Sequence, residues 1–179
     1  MVLSYREDEH TDDIPYIQLR KATQTDFPAI REVAFLSRQK AWGHYMDDNE
    51  IESEVAKYYN DDVLNGIISN PANAIFVAER EGRILGYCSV LPKDRRGRPR
   101  ILQFYVCPKE QRQGIGELLF EKSCDFLRQS GVNDLFVSTM GANMIGRNFF
   151  IKKGCDLVYD YTSIWDGRQH EILVFHKEL

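Results

Sequence analysis

Ile101-Leu102-Gln103-Phe104-Tyr105-Val106, followed by Cys107-Pro108-Lys109-Glu110 and then Gln111-Arg112-Gln113-Gly114-Ile115-Gly116, decides the fold. The apolar and aromatic run predicts a strand. Pro108 marks a short loop, and a helix then opens on two glycines and runs to about Gln129. Along that helix Glu117, Glu121, Asp125 and Arg128 fall at i, i+4, i+8 and i+11 and form one polar stripe. Ile115, Leu118, Leu119, Phe120, Cys124, Phe126 and Leu127 fill the rest, an apolar face too wide for an exposed helix. The helix is therefore expected to lie on a sheet, with its first turn beside the end of a buried strand.

The first turn of a helix leaves backbone N–H groups unpaired and carries partial positive charge. Gly114 and Gly116 have no Cβ, so a bulky anion can approach the main chain, and phosphate is the natural guest. Two familiar phosphate motifs are excluded by spacing. A P-loop needs Lys and Ser/Thr after its last glycine, and Gly116 is followed by Glu117 and Leu118. A dinucleotide fingerprint needs a third glycine where Leu119 stands, and an acidic residue closing a strand about 20 residues further on, which is missing.

Working outward, residues 74–79 and 84–91 flank Arg80-Glu81-Gly82-Arg83 and read as a hairpin. The basic run Arg95-Arg96-Gly97-Arg98-Pro99-Arg100 reads as a second hairpin tip, either simply solvated or a contact for an acidic partner or subunit. Upstream, residues 16–20 alternate as a first strand. Thr25 is expected to cap a helix through Pro28, Ile30 and Val33 to about Arg38. Residues 39–46 read as an aromatic loop. Ile51, Val55, Tyr59, Val63 and Ile67 at i+4 spacing predict a helix over 48–69, which Asn60-Asp61-Asp62 could kink or split and Pro71 ends. Residues 1–15 are expected to form a polar tail, and residues 16–179 one domain. Downstream, a strand over 134–139 reaches its neighbour through the central helix, so the two should be parallel. A helix over 143–153 ending at Gly154 and a hairpin of residues 155–165 and 170–177, turned at Asp166-Gly167-Arg168, complete the chain.

The 179 residues suffice for one domain with a full core. No apolar run approaches the roughly 20 residues of a membrane span. The acidic, polar N-terminus does not read as a signal peptide. Cys88, Cys107, Cys124 and Cys155 are widely spaced in apolar segments, as expected of reduced core thiols in the cytoplasm. The four histidines are scattered, so no metal is expected, and the net charge of −4 argues against nucleic acid.

The central stretch resembles the acetyl-coenzyme A signature of the GNAT superfamily of N-acetyltransferases, Gln/Arg-x-x-Gly-x-Gly/Ala, standing here as Gln111-Arg112-Gln113-Gly114-Ile115-Gly116. The element order β-α-α-β-β-β-α-β-α-β-β is similar to that family over residues 16–177. Asn143-x-x-Gly146-x-x-Phe149-Phe150-x-Lys152-x-Gly154 looks like the family's Asn-x-x-Ala-x-x-Leu-Tyr-x-Lys-x-Gly. The resemblance implies an α/β GNAT fold: a single mixed, mostly antiparallel sheet with a splayed central parallel strand pair and flanking helices.

It also implies acetyl-coenzyme A as co-substrate. Pantetheine would pair with free backbone N–H groups near Phe104 and Val106, as an added strand does. The pyrophosphate would rest on the amides of Arg112, Gln113, Gly114, Ile115 and Gly116, with Gln111 and Arg112 adding side chains or, for Arg112, remaining a solvated cation. Asn143 falls where the family's pantetheine-contacting asparagine falls. Phe150 occupies the place of the tyrosine that reprotonates the thiolate, keeping a ring against the coenzyme but no hydroxyl. Tyr45, Tyr105, Tyr159, Tyr161 or water would have to serve, or the thiolate would leave unassisted.

The implied reaction is direct attack of a neutral amine, with the Val106 N–H on the oxyanion. The central strand lacks the carboxylate base common in the family. His44 could take the proton or be merely a solvated loop histidine. Trp42, His44, Tyr45 and Gln103 are expected to line the acceptor site, although Trp42 and Tyr45 read equally as packing. Seven carboxylates between Asp47 and Asp62 face one cation, Lys57. They form either a solvated helix face or a funnel for a small cationic amine. A protein or peptide amine, and a non-catalytic acyl-coenzyme A sensor, are the competing functions. Edge strands make a homodimer possible.

Overall fold

The structure, a computed structural model, describes residues 16–44, 46–165 and 167–179. The expected tail over 1–15, Tyr45 and Asp166 lie outside the described residues. In chain order the elements are β1 (Gln18–Lys21), α1 (Phe27–Trp42), α2 (Asp48–Tyr58), α3 (Asp61–Ile68), β2 (Ala74–Arg80), β3 (Arg83–Leu91) and β4 (Arg100–Val106), followed by α4 (Ile115–Gln129), β5 (Asp134–Met140), α5 (Met144–Lys152), β6 (Asp156–Trp165) and β7 (Arg168–Glu178). The strands form one sheet in the order β1-β2-β3-β4-β5-β7-β6, antiparallel throughout except for the expected parallel pair β4–β5.

Alternation along the strands sends side chains to two separate cores. On one face Phe76, Leu85, Cys88, Ile101, Leu135 and Val137 pack with Leu119, Phe120 and Leu127 of α4 and with Phe150 of α5. On the other, Ile75, Val77 and Tyr87 pack with Ile30, Ile51 and Leu64 from α1–α3. The polar stripe of α4 faces solvent as its spacing predicts. Leu118, assigned to the apolar face, is instead 42% exposed, while Ser123 is fully buried in its place. Ser123 is satisfied there by donating to Leu119 O (2.8 Å) and by contact with Cys88 Sγ.

Two boundaries differ from expectation, and one expected break is found, each for an identifiable reason. The first helix continues through Trp42, so residues 39–42 of the expected aromatic loop are helical. It is preceded by a 3-10 turn over Gln24–Asp26, entered at Thr23 rather than Thr25, where Asp26 accepts from Thr23 N–H (2.7 Å) and from Arg20 (2.7 and 2.8 Å). The predicted 48–69 helix is split, because the Asn60 side chain accepts from Val63 N–H (2.9 Å) and caps a new helix. The break resets the helical phase, so Leu64 is buried and Val63, which the i+4 spacing placed inside, is 38% exposed.

All four cysteines are free and buried. The orientation of α4 predicts that Leu119→Ala will cost about 3 kcal/mol in urea unfolding, as truncation in a closed core does. Leu118→Ala should stay within about 0.5 kcal/mol, as exposed substitutions do. Equal costs for the two would contradict this face assignment.

Candidate active site

β4 and β5 are hydrogen-bonded neighbours only at Arg100–Phe136 and Ile101–Val137. Beyond that point the strands part. The β3–β4 register explains where: Ser89 pairs with Gln103 and Val90 with Ile101, so Leu102 is an extra residue, a bulge that bends β4 at the position where β5 is lost. Cys107 N–H donates to Leu85 O (2.8 Å) on β3. By strand alternation the Tyr105 amide also faces β3, and the Phe104 and Val106 amides face the opened side. The Val106 carbonyl, on that same side, accepts from Ser37 Oγ of α1 (3.3 Å) and Gln111 Nε2 (3.2 Å).

The open edge leads to the mouth of α4. Its N-cap, Gly114, is left-handed (φ +82°), and no side chain caps the helix. Arg112 is left-handed as well (φ +68°). Left-handed residues in a turn fold successive N–H groups into a concavity that suits anions, and a non-glycine residue there is strained by about 1–2 kcal/mol. The loop is braced from behind. Glu110 takes contacts from Arg80 (3.4 Å) and Arg83 (3.5 Å), and Arg80 donates to Gln113 Oε1 (3.0 Å). A Cβ built on Gly114 would meet nothing within 4 Å, so the space before these amides is open. An uncapped helix mouth continuous with an unpaired strand edge fits a diphosphate followed by a polar, extended arm.

The sequence-predicted residues separate into those brought to this groove and those kept from it. Phe104, Val106, Gln111 and the 112–116 loop converge there. Ile115 does so through its backbone only, its side chain being 1% exposed. The Gln111 and Gln113 side chains are engaged by the protein, on Val106 O and on Arg80 and Glu110. Asn143 caps α5: its oxygen accepts from Gly146 N–H (3.0 Å) and its amide donates to Thr139 Oγ1 (3.1 Å).

Phe150 departs from expectation. Its ring is 4% exposed, packed among Phe104, Phe120, Phe149 and Phe175 with centroids 5.4–6.3 Å away. The half-buried Phe149 is the ring that reaches the mouth of α4, near Gly116.

On the acceptor side, Gln103 is 8% exposed and accepts a hydrogen bond from Ser89 Oγ (2.5 Å). Trp42 is half-buried beside Arg38, and His44 is exposed on the turn after α1.

Sequence reasoning missed Arg38. It is 7% exposed, donates to Tyr59 Oη (3.0 Å) and lies 4.7–5.3 Å from the rings of Tyr59, Trp42 and Tyr105. It fixes a positive charge directly behind the central strand. Burial pushes the Tyr59 and Tyr87 phenols up, so both stay protonated beside it. His170, 8% exposed, was missed too. It stands two residues beyond Ile172, the β7 partner of Met140, on the acceptor face. Among the described residues no three His, Cys, Asp or Glu side chains gather to hold a metal.

Gly114→Ala should be destabilised by about 1–2 kcal/mol, because a Cβ opposes its left-handed backbone. Gly116→Ala should fold at least as stably as the parent, its Cβ meeting Phe149 and Val106 no closer than 3.4 Å. Thermal unfolding of both variants distinguishes the two demands.

The sequence pattern of the acetyltransferase (GNAT) family matches residues 20–155. Human N-acetyltransferase 8 is 26% identical over 143 residues, which is 69% of this chain and 58% of that protein, so the chain spans less than two thirds of that relative. An uncharacterized N-acetyltransferase of Lactobacillus delbrueckii subsp. lactis is 22% identical over 88% of this chain and 95% of its own length. The PaiA N-acetyltransferase of Thermoplasma acidophilum, solved in complex with coenzyme A, superposes with a TM-score of 0.75 at 19% identity, over 92% of this chain and 99% of that one.

Proposed function

The chain belongs to the GNAT acetyltransferase family, and from that membership we propose that it transfers an acetyl group from acetyl-coenzyme A to a primary amine by direct attack. The observation that carries this is the seam between β4 and β5, which closes at Ile101–Val137 and leaves the Phe104 and Val106 amides unpaired beside an uncapped helix mouth.

Acetyl-coenzyme A supplies the activated acyl group as a thioester. This chain's residues do the rest. The amides of residues 112–116 hold the diphosphate. The edge amides of β4 align the pantetheine arm, with Asn143 beside it. The Val106 N–H, in a residue whose own carbonyl is held by Ser37 and Gln111, would face the oxyanion at the thioester carbon. Alignment of amine and thioester supplies most of the acceleration, and no strong base is required if the amine arrives neutral. His44 or His170 then takes the proton through solvent. With Phe150 withdrawn into the core, Tyr105 and Tyr161 are the hydroxyls on the acceptor face available to reprotonate the thiolate.

A small amine, cationic in solution, is the acceptor. Glu50 and Glu54 of α2 line a shallow cavity of about 360 Å³ with Met46, at the end of α1–α2 expected to face it. Part of the acidic run also has local duties: Asp47 and the cavity-lining Glu50 cap α2 reciprocally (2.9 Å each), Glu50 lies 3.9 Å from Arg168, Asp48 accepts from Gln39 (2.9 Å) and Asp61 pairs with Arg31 (2.6 Å). The buried thiols suit the cytoplasm, and the exposed edge strands β1 and β6 suit a homodimer.

Purified protein mixed with acetyl-coenzyme A and a panel of amines should release free thiol at an amine-dependent rate. The protein's own cysteines should stay silent in a thiol-reagent assay: burial pushes the Cys88 thiol up to about 12 and those of Cys124 and Cys155 up to about 11. Thermal stabilisation by acetyl-coenzyme A with no thiol release from any amine would favour a non-catalytic acyl-coenzyme A sensor instead.

A further inference from the structure

The run Arg95-Arg96-Gly97-Arg98-Pro99-Arg100, from its sequence a hairpin tip, is one wall of a cavity of about 710 Å³. The floor is the helix-free part of the sheet. Ile101 and Val137 point into the α4 core, so Arg100, Phe136 and Ser138 point to the opposite face. Tyr159 and Tyr161 of β6 close the far side. Leu102 and Ser138, the first residues beyond the β4–β5 seam, also line it, so the cavity sits at the apex of the cleft. The volume lies within the range of small-molecule sites.

Its charge is lopsided: four guanidinium groups face one carboxylate, Asp94. Asp94 offsets only part of this charge: its Oδ1 is held by the Arg96 and Arg98 backbone N–H groups (2.8 and 2.9 Å) and its Oδ2 makes a long ion pair with Arg100 Nη1 (4.0 Å). The hydrogen bonds of Arg98 and Arg100 go to neutral groups. Arg98 donates to Tyr159 Oη (2.9 Å) and lies 5.2 Å from the Phe136 ring, and Arg100 donates to Ser138 Oγ (2.6 Å). The Nε atoms of both are buried without a hydrogen-bond partner. Each guanidinium carries five N–H donors, and the single hydrogen bond that each makes here leaves terminal donors on the cavity wall for an anionic acceptor.

We propose that this cavity binds the acidic end of the acceptor, making the acceptor a small molecule that carries both a primary amine and a carboxylate or phosphonate. The inference rests on the acetyl-transfer reading, since it is that reading which places the thioester in the cleft whose closed end this cavity forms. The anion cannot be the coenzyme's own phosphate. The arginines lie at the start of β4 and the phosphate-binding loop past its end, roughly 20 Å apart at about 3.3 Å per residue, with α4 on the other face. The two electrostatic features then have complementary roles: the acidic end of α2 attracts the ammonium group and the arginine wall anchors the acid. A polyamine would place its second charge against four guanidinium groups.

The test compares propylamine, 1,4-diaminobutane, β-alanine, 3-aminopropylphosphonate and an acidic peptide with a free N-terminus, by thiol release catalysed by the 179-residue chain. The acidic small amines should exceed propylamine and the diamine in kcat/KM by roughly 10–100-fold, as charge-assisted bonds to fixed arginines would give. In Arg98→Gln and Arg100→Gln that ratio should collapse towards one, while thermal stabilisation by acetyl-coenzyme A persists and shows that the fold is intact. Arg95→Gln with Arg96→Gln, at the exposed tip, should reduce the ratio with no risk to the core. Equal use of all small amines, or preference for the diamine, overturns the anion site and leaves acetyl transfer standing. Preference for the peptide overturns the small-molecule assignment. If no amine releases thiol, acetyl transfer falls, and the site is decided by binding alone: saturable thermal stabilisation by 3-aminopropylphosphonate, lost in the arginine variants, supports it, and no stabilisation overturns it.

Discussion

Two residue pairs hold the halves of this sheet together. Arg100–Phe136 and Ile101–Val137 are the register shared by β4 and β5, and every site feature is defined by distance from that short seam. Past it, β4 keeps its bonds to β3 on one side and offers bare amides on the other. The parting requires the bulge at Leu102, which turns the strand without breaking the β3–β4 ladder. A fully zipped pair would gain several hydrogen bonds and lose the groove. The protein forgoes that local stability at its centre and recovers it in the two cores, where Leu119, Phe120, Ile51 and Leu64 are fully buried.

The surroundings keep the parted strand from relaxing. Ser37 reaches from α1 to the Val106 carbonyl, Gln111 reaches back to the same oxygen, and the β2–β3 hairpin holds the following loop through Arg80, Arg83, Glu110 and Gln113. These contacts hold the groove open and the left-handed Arg112 in place, so little ordering is left for the moment of binding. Arg38 adds a fixed cation behind Tyr105, stacked among aromatic rings rather than paired with a carboxylate, so its field is undiminished at the face where the acceptor would lie.

The elements were legible because their signals are local. Apolar runs bounded by turn residues marked β2–β5, the polar stripe oriented α4, and the helical connection made β4 and β5 parallel. Errors arose where a polar side chain competes with periodicity. Asn60 caps a new helix and shifts the phase from Val63 to Leu64, and Asp26 moves the entry of α1 back to Thr23. The open, uncapped turn at 111–116 was legible because glycine spacing reports backbone geometry directly. Side-chain destinations across the sheet were not. Nothing in Phe149-Phe150 says which ring enters the core. Arg98 closes the turn before β4 and Arg100 opens the strand, and the sequence does not reveal that β6 brings Tyr159 over to complete the chamber. Arg38 falls on the buried side of α1, where a charge is ordinarily excluded, and that conflict with the pattern was the available clue.

A two-pair seam also divides the chain into separable inheritances. Strands β1–β4 with α4 carry the uncapped loop and the edge amides, whereas β5 and β6, with the turn before β4, wall the arginine-rich chamber. On the proposed reading, sequence drift in the distal ribbon would reshape selectivity while the half that grips the donor stayed untouched, a partition that would let one scaffold serve many acceptors.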